Sequence, residues 1–126
     1  MNKNMNLQFQ VESLQDVAVV NCSGRMVRGV ALDEFRRRIE QLERVRVLVL
    51  DVSGVEQLDA GGLGTLLLVR RWAVQKGAKL KVVNPPAFFR RVLEATHLSS
   101  VFDVSSLQDA ISILRGKECS ARFAIA

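Results

Sequence analysis

Leu7, Phe9 and Val11 alternate with Gln8, Gln10 and Glu12. An apolar–polar alternation of period two is the pattern of a half-buried strand. Residues 17–22 form a second apolar run, and the short link Ser13-Leu14-Gln15-Asp16 predicts that the two runs pair as an antiparallel hairpin. Ser23-Gly24 is expected to break the second strand. From Val30 the period changes. Leu32, Phe35, Ile39 and Leu42 fall at helical spacing, with Arg36, Arg37, Glu40 and Glu43 around them. Residues 45–52 are apolar except for Arg46 and Asp51, which predicts a central strand covered on its faces.

The next helix is predicted over 62–76, with Gly77 as its C-cap. Residues 79–83 read as a strand stopped by Pro85-Pro86, and Pro86 suits the first turn of a short helix over 87–96. Residues 101–103 read as a short strand. Ser105 with Gln108, or Ser106 with Asp109, signals the start of a last helix through 114. Residues 116–126 have no clear period and read as a loose tail. The order ββαβαβαβα predicts an α/β fold in a single domain over 1–126, its core over about 7–114. It is a mixed sheet with an N-terminal hairpin and crossover helices packed against it.

Composition narrows the function classes. The 126 residues are 48% hydrophobic and 25% charged, an ordinary globular mix. No apolar stretch approaches the ~20 residues that span a bilayer. The polar start Met1-Asn2-Lys3-Asn4-Met5-Asn6 leads into no signal-type run, so a cytoplasmic protein without direct membrane insertion is expected. The two cysteines, Cys22 in an apolar strand and Cys119 in the polar tail, lack metal-ligand spacing, and no metal is expected. Cys22 reads as a small core hydrophobe. The net charge of +5 suits an acidic partner. Arg36-Arg37-Arg38, Arg70-Arg71 and Arg90-Arg91 are spread over separate segments, and there is no Tyr to stack on bases. No nucleic-acid partner is expected.

Chemistry concentrates at one turn. The run ending in Leu50-Asp51-Val52-Ser53-Gly54-Val55 leads to Asp59-Ala60-Gly61-Gly62-Leu63-Gly64, which opens into the apolar helical run Leu66-Leu67-Leu68-Val69. The first N–H groups of a helix lack intrahelical partners and carry partial positive charge, so such a turn attracts anions and carboxylates. Between Asp59 and Leu63 there is no Ser, Thr, Lys or His. Asp59 is expected to cap the helix by accepting backbone N–H bonds, to contact a partner's base, or to do both. A nucleotide-binding reading of Gly62-Leu63-Gly64 fails, because Leu67 stands where a third glycine belongs and no P-loop Lys follows. His97, the one histidine, has no visible catalytic partner, and Asp51 reads as a strand-end carboxylate bonded to nearby backbone. No catalytic set and no cofactor are expected. The first half of the helix is apolar on more than one face, so part of Leu66, Leu67 and Val69 is a candidate docking surface rimmed by Arg70 and Arg71.

In their order and spacing these segments resemble the STAS domain, the fold of bacterial anti-sigma factor antagonists. The resemblance rests on Val17-Ala18-Val19-Val20-Asn21-Cys22-Ser23-Gly24, Val49-Leu50-Asp51-Val52-Ser53-Gly54-Val55, Leu58-Asp59-Ala60-Gly61-Gly62-Leu63-Gly64 and Leu80-Lys81-Val82-Val83-Asn84-Pro85. It implies a protein-interaction module that binds an anti-sigma factor, a serine kinase of the ATP-binding type. In that family the third segment usually reads Asp-Ser-Ser-Gly-Leu-Gly, and the second Ser accepts phosphate. Here Asp59 and Gly62-Leu63-Gly64 match, Ala60 replaces the first Ser, and Gly61 occupies the phosphoacceptor position without a hydroxyl. Thr65 is the nearest hydroxyl and a candidate substitute acceptor. The family often carries an acid shortly after the Gly of the earlier segment, whereas Gly24-Arg25-Met26-Val27-Arg28 carries two bases. The implied partner surface comprises Gly24, Arg25, Asp59, Ala60, Gly61, Gly62, Leu63, Gly64 and Thr65. The alternative reading is a STAS subunit of a lipid-transport ATPase or a larger signalling assembly, and a homodimer is compatible with either.

Overall fold

The computed structural model describes residues 6–105. Its elements are β1 (Gln8–Leu14), β2 (Val17–Met26), α1 (Val30–Glu40), β3 (Val47–Leu58), α2 (Ala60–Lys76), β4 (Lys79–Val83), α3 (Ala87–Ala95) and β5 (Asp103–Ser105). The strands form one sheet in the order β1-β2-β3-β4-β5. β1 and β2 pair antiparallel as the hairpin, and every later pair is parallel. Parallel neighbours require a crossover, and α1, α2 and α3 supply the three. The predicted last helix and the tail over 116–126 lie outside the described residues.

The sheet explains why the central strand reads as continuously apolar. Leu48, Leu50 and Val52 join Ala18, Val20, Val82 and the inner faces of all three helices in the main core. Val47, Val49 and Val83 point to the opposite face and cluster with Val17 and Val19. Alternate residues of β3 are therefore buried on opposite sides, which leaves no polar phase. Phe9 of β1 meets Phe35 of α1 edge to face, with centroids 5.4 Å apart. Such a pair adds about 0.5–1.5 kcal/mol beyond its buried area and fastens the hairpin to the first helix.

Two strands outrun their sequence signals. β2 does not break at Ser23-Gly24; it keeps alternating through Gly24 to Met26, with Cys22, Gly24 and Met26 all buried. Gly24 takes φ 90°, a conformation that costs glycine little, and the chain stays in the sheet. β3 continues past Val52 to Leu58, so the polar stretch Ser53, Gly54, Glu56 and Gln57 is strand and not loop. The pairing with β2 shifts register between Asn21 and Ser23 and again between Gly24 and Arg25, each time with an extra residue on β3. These bulges let Val52 and Val55, three positions apart, both face the helices. β5 begins two residues later than its hydrophobic signal, because the amides of Val101 and Phe102 bond back to the Leu98 carbonyl in the turn after α3.

Both later helices end as Schellman turns. Gly77 adopts φ 76°, its N–H bonds the Val74 carbonyl at 3.1 Å, and Ala78 N–H bonds the Ala73 carbonyl at 2.8 Å. The same pattern ends α3 with His97 in the left-handed position at φ 61°, His97 N–H on Glu94 and Leu98 N–H on Leu93. The lone histidine is thus a helix terminator on the surface.

Candidate functional site

The Gly-rich corner is built by the overrun of β2 and β3. Met26 pairs with Leu58 at the end of the parallel ladder, and Asp59 N–H reaches the Met26 carbonyl at 3.4 Å. The chain then turns directly into α2, two residues earlier than the sequence signal, with Asp59 as N-cap. Poor helix propensity in a Gly-rich first turn hides this start. Asp59 Oδ1 accepts from Gly62 N–H at 2.8 Å, and Oδ2 accepts from Arg28 N–H at 3.2 Å. One carboxylate therefore caps α2 and holds the β2–α1 connection against it. The Gly62 N–H bond lowers the Asp59 pKa most; desolvation opposes it, and the Arg28 and Gly61 amides with the Arg28 charge add to the lowering. The capping role expected of Asp59 is seen.

Gly62 is buried against the end of β2, where an added Cβ would lie 2.0 Å from the Met26 carbonyl oxygen. Only a residue without a side chain lets the helix start this close. Gly61 faces Arg28, whose Cβ and Cα would stand 3.0 and 3.3 Å from a Cβ placed there. Gly64 faces open space, with nothing within 4 Å of an added Cβ. Ala60 is exposed and Leu63 is half-buried against the core.

The structure does not gather every expected contact residue. Gly24 is buried inside β2. Arg25 lies on the face of the sheet opposite Met26 and donates from Nε to Gln57 Oε1 at 2.7 Å. Thr65 is 8% exposed on the inner side of α2, so its candidacy as a substitute phosphoacceptor meets a steric objection: a phosphate there would have to enter the packed core. Leu66 and Val69 are fully buried, and the large apolar residues that α2 exposes are Leu67, Leu68 and Val74. The residue that sequence reasoning passed over is Arg28. Its signal was present in the two bases after Gly24, but its place against Gly61 depends on β2 continuing past Gly24.

Other polar groups have structural employment. Asp51 Oδ1 accepts from Ser53 N–H at 3.0 Å at the first bulge. Burial, helped by the Asp51 charge, pushes the Cys22 thiol up to about 12, far from the thiolate that chemistry requires.

The sequence profile described as the STAS domain matches residues 8–111. This chain belongs to the STAS domain family. An anti-sigma F factor antagonist from Paenibacillus polymyxa is 29% identical to it over 110 residues, covering 83% of this chain and 89% of the relative. An anti-sigma factor antagonist from Mycobacterium paratuberculosis superposes with TM-score 0.70 at 26% identity, covering 87% of this STAS domain and 95% of that one. The unphosphorylated form of the anti-sigma factor antagonist SpoIIAA superposes with TM-score 0.74 at 20% identity, covering 86% and 97% of the two chains, which is a likeness of fold. The α/β fold of this STAS domain is thus the one its sequence predicts, and no described helix is long and apolar enough to cross a membrane.

Proposed function

We infer that this STAS domain is an anti-sigma factor antagonist-like binding module, acting in the cytoplasm on an anti-sigma factor of the ATP-binding serine kinase type, and that its docking corner never changes charge. The observation that carries the reading is Gly61: the corner position most exposed to phosphotransfer in the family has no hydroxyl and sits under Arg28. Phosphorylation elsewhere acts by adding about two negative charges, which repel carboxylates or must be desolvated in an interface. Without an acceptor the surface stays in its binding-competent form, and regulation passes to abundance or to the partner. The module binds and does not catalyse: Asp59 is spent on backbone amides, and Cys22 is buried and protonated.

The test combines the purified chain with each serine-kinase-type anti-sigma factor of its source organism in the presence of ATP. Calorimetry should detect a one-to-one complex while intact mass spectrometry shows the chain unmodified. Stoichiometric phosphate within residues 59–65 would refute the proposal, as would recovery of transport-ATPase subunits with no kinase bound.

A further inference from the structure

We propose that the outward stripe of α2 receives an acidic amphipathic helix of the binding partner. This deepens the reading above and rests on it for the partner's class. At 100° per residue, Gly64, Leu67, Leu68, Arg71 and Val74 fall on the side of α2 away from Thr65, Leu66, Val69 and Ala73, which enter the core. Leu67, Leu68 and Val74 are 38%, 44% and 60% exposed. A helix apolar on all sides is ordinarily buried on all sides. Among the described residues nothing covers the outer side here.

Charge decides what covers it. α2 carries Arg70, Arg71 and Lys76 and no Asp or Glu. Arg70 leans away, donating to the Val101 carbonyl at 3.2 Å, while exposed Arg71 makes no ion pair among the described residues. At the head of the stripe stands Arg28, beside Gly61. A second copy laid on this face would oppose arginine to arginine with no carboxylate on either helix, which disfavours self-association. An acidic helix meets the same face with carboxylates for Arg28 and Arg71 and apolar side chains between them. The bare Cα of Gly64 admits a close side chain at one end. From Gly64 to Val74 the stripe is about 15 Å long, so a partner helix of about three turns covers it.

Two synthetic helical peptides of this length serve as probes, one with Leu and Glu along one face, the other with Lys in place of Glu. In amide-correlation NMR of the full chain, the Glu peptide should shift Gly64, Leu67, Leu68, Arg71 and Val74 and leave β1 unmoved. Its affinity should fall with salt, and the Lys peptide should bind about tenfold more weakly. Arg71→Glu should reverse the preference. Equal binding of both peptides, shifts centred elsewhere, dimerisation abolished by Leu68→Ser, or co-sedimentation with anionic phosphatidylserine vesicles would each overturn the proposal. The two readings separate cleanly in the kinase assay. If the anti-sigma factor binds Arg71→Glu and Leu68→Ser as tightly as the parent chain, this inference falls alone. If no kinase binds but the peptides discriminate, only the partner's class is wrong.

Discussion

Gly62→Ala adds one methyl group to the most constrained point of the corner. The new Cβ would lie 2.0 Å from the Met26 carbonyl oxygen and 3.0 Å from Leu58 Cδ1. The first contact is with backbone in a parallel ladder, so no side-chain rotation relieves it. The start of α2 must lift by over an ångström, and that motion stretches the Asp59 bonds to Gly62 and Arg28 together. Overpacking of this kind costs about 1–3 kcal/mol, and loosening an Asp cap about 1 kcal/mol more. Alanine's better helix propensity returns about 1 kcal/mol, leaving a net loss of about 1–3 kcal/mol. Gly64→Ala is the internal control. It adds the same methyl group half a turn on, into open space, and should gain about 0.5–1 kcal/mol from propensity alone. Urea denaturation reads both, as a lowered midpoint for the first and a raised midpoint for the second at unchanged slope. A Gly62→Ala midpoint equal to that of the parent chain, or a destabilised Gly64→Ala, would show that the corner is not packed as described.

Asp59→Ala should destabilise by about 1–2 kcal/mol in the same denaturation assay, since it removes the acceptor of two backbone amides. The Asp59 carboxyl is held below its ordinary range by the Gly62 amide, and Asp16 by its hydrogen bond and charge contact with Arg46. Their contribution is therefore complete above the usual carboxylate pKa near 4 and is lost as pH falls through the depressed values, so a midpoint titration should drop below about pH 4 and drop less in Asp59→Ala. With its thiol pushed up to about 12, Cys22 should resist iodoacetamide at neutral pH in the folded protein and alkylate in urea; rapid labelling of the native chain at Cys22 would contradict its burial. His97→Gly relieves a left-handed non-glycine residue and should raise the melting midpoint by the equivalent of about 1 kcal/mol.

The sequence displayed most of the fold because its periods are unmixed. β4 falls where the run before Pro85-Pro86 puts it, and α2 stops at the Gly77 signal. What misled in β2, in β3 and at the start of α2 was a locally ambiguous residue type. Ser23-Gly24 and the stretch from Ser53 to Gln57 carry loop composition, yet bulged pairing between β2 and β3 keeps both in the sheet. That pairing is a long-range fact, written in no single window. The same limit governed the site. Asp59 and the glycines were legible as a helix start, and the absence of a hydroxyl at Gly61 could be read directly. Which residues stand together could not: Gly24 and Arg25 follow in sequence but face opposite sides of the sheet, while Arg28 comes to Gly61 only through the extended strand. The exposed stripe of α2 was visible as excess apolarity, but its phase depended on which side the sheet lay, and that moved it from Leu66 and Val69 to Leu68 and Val74.

The extra residues in β3 give the strand room to change length. Each bulge sets one residue of β3 opposite none of β2, so losing the unpaired residue at Glu56 would close the second bulge with Gln57 still on Arg25 and Leu58 still on Met26. Those pairings keep Leu58 against the core and deliver Asp59 to its two amides. Natural variation should therefore gain or lose a position at a bulge and nowhere else in the strand, where a slip of one would turn the later side chains over.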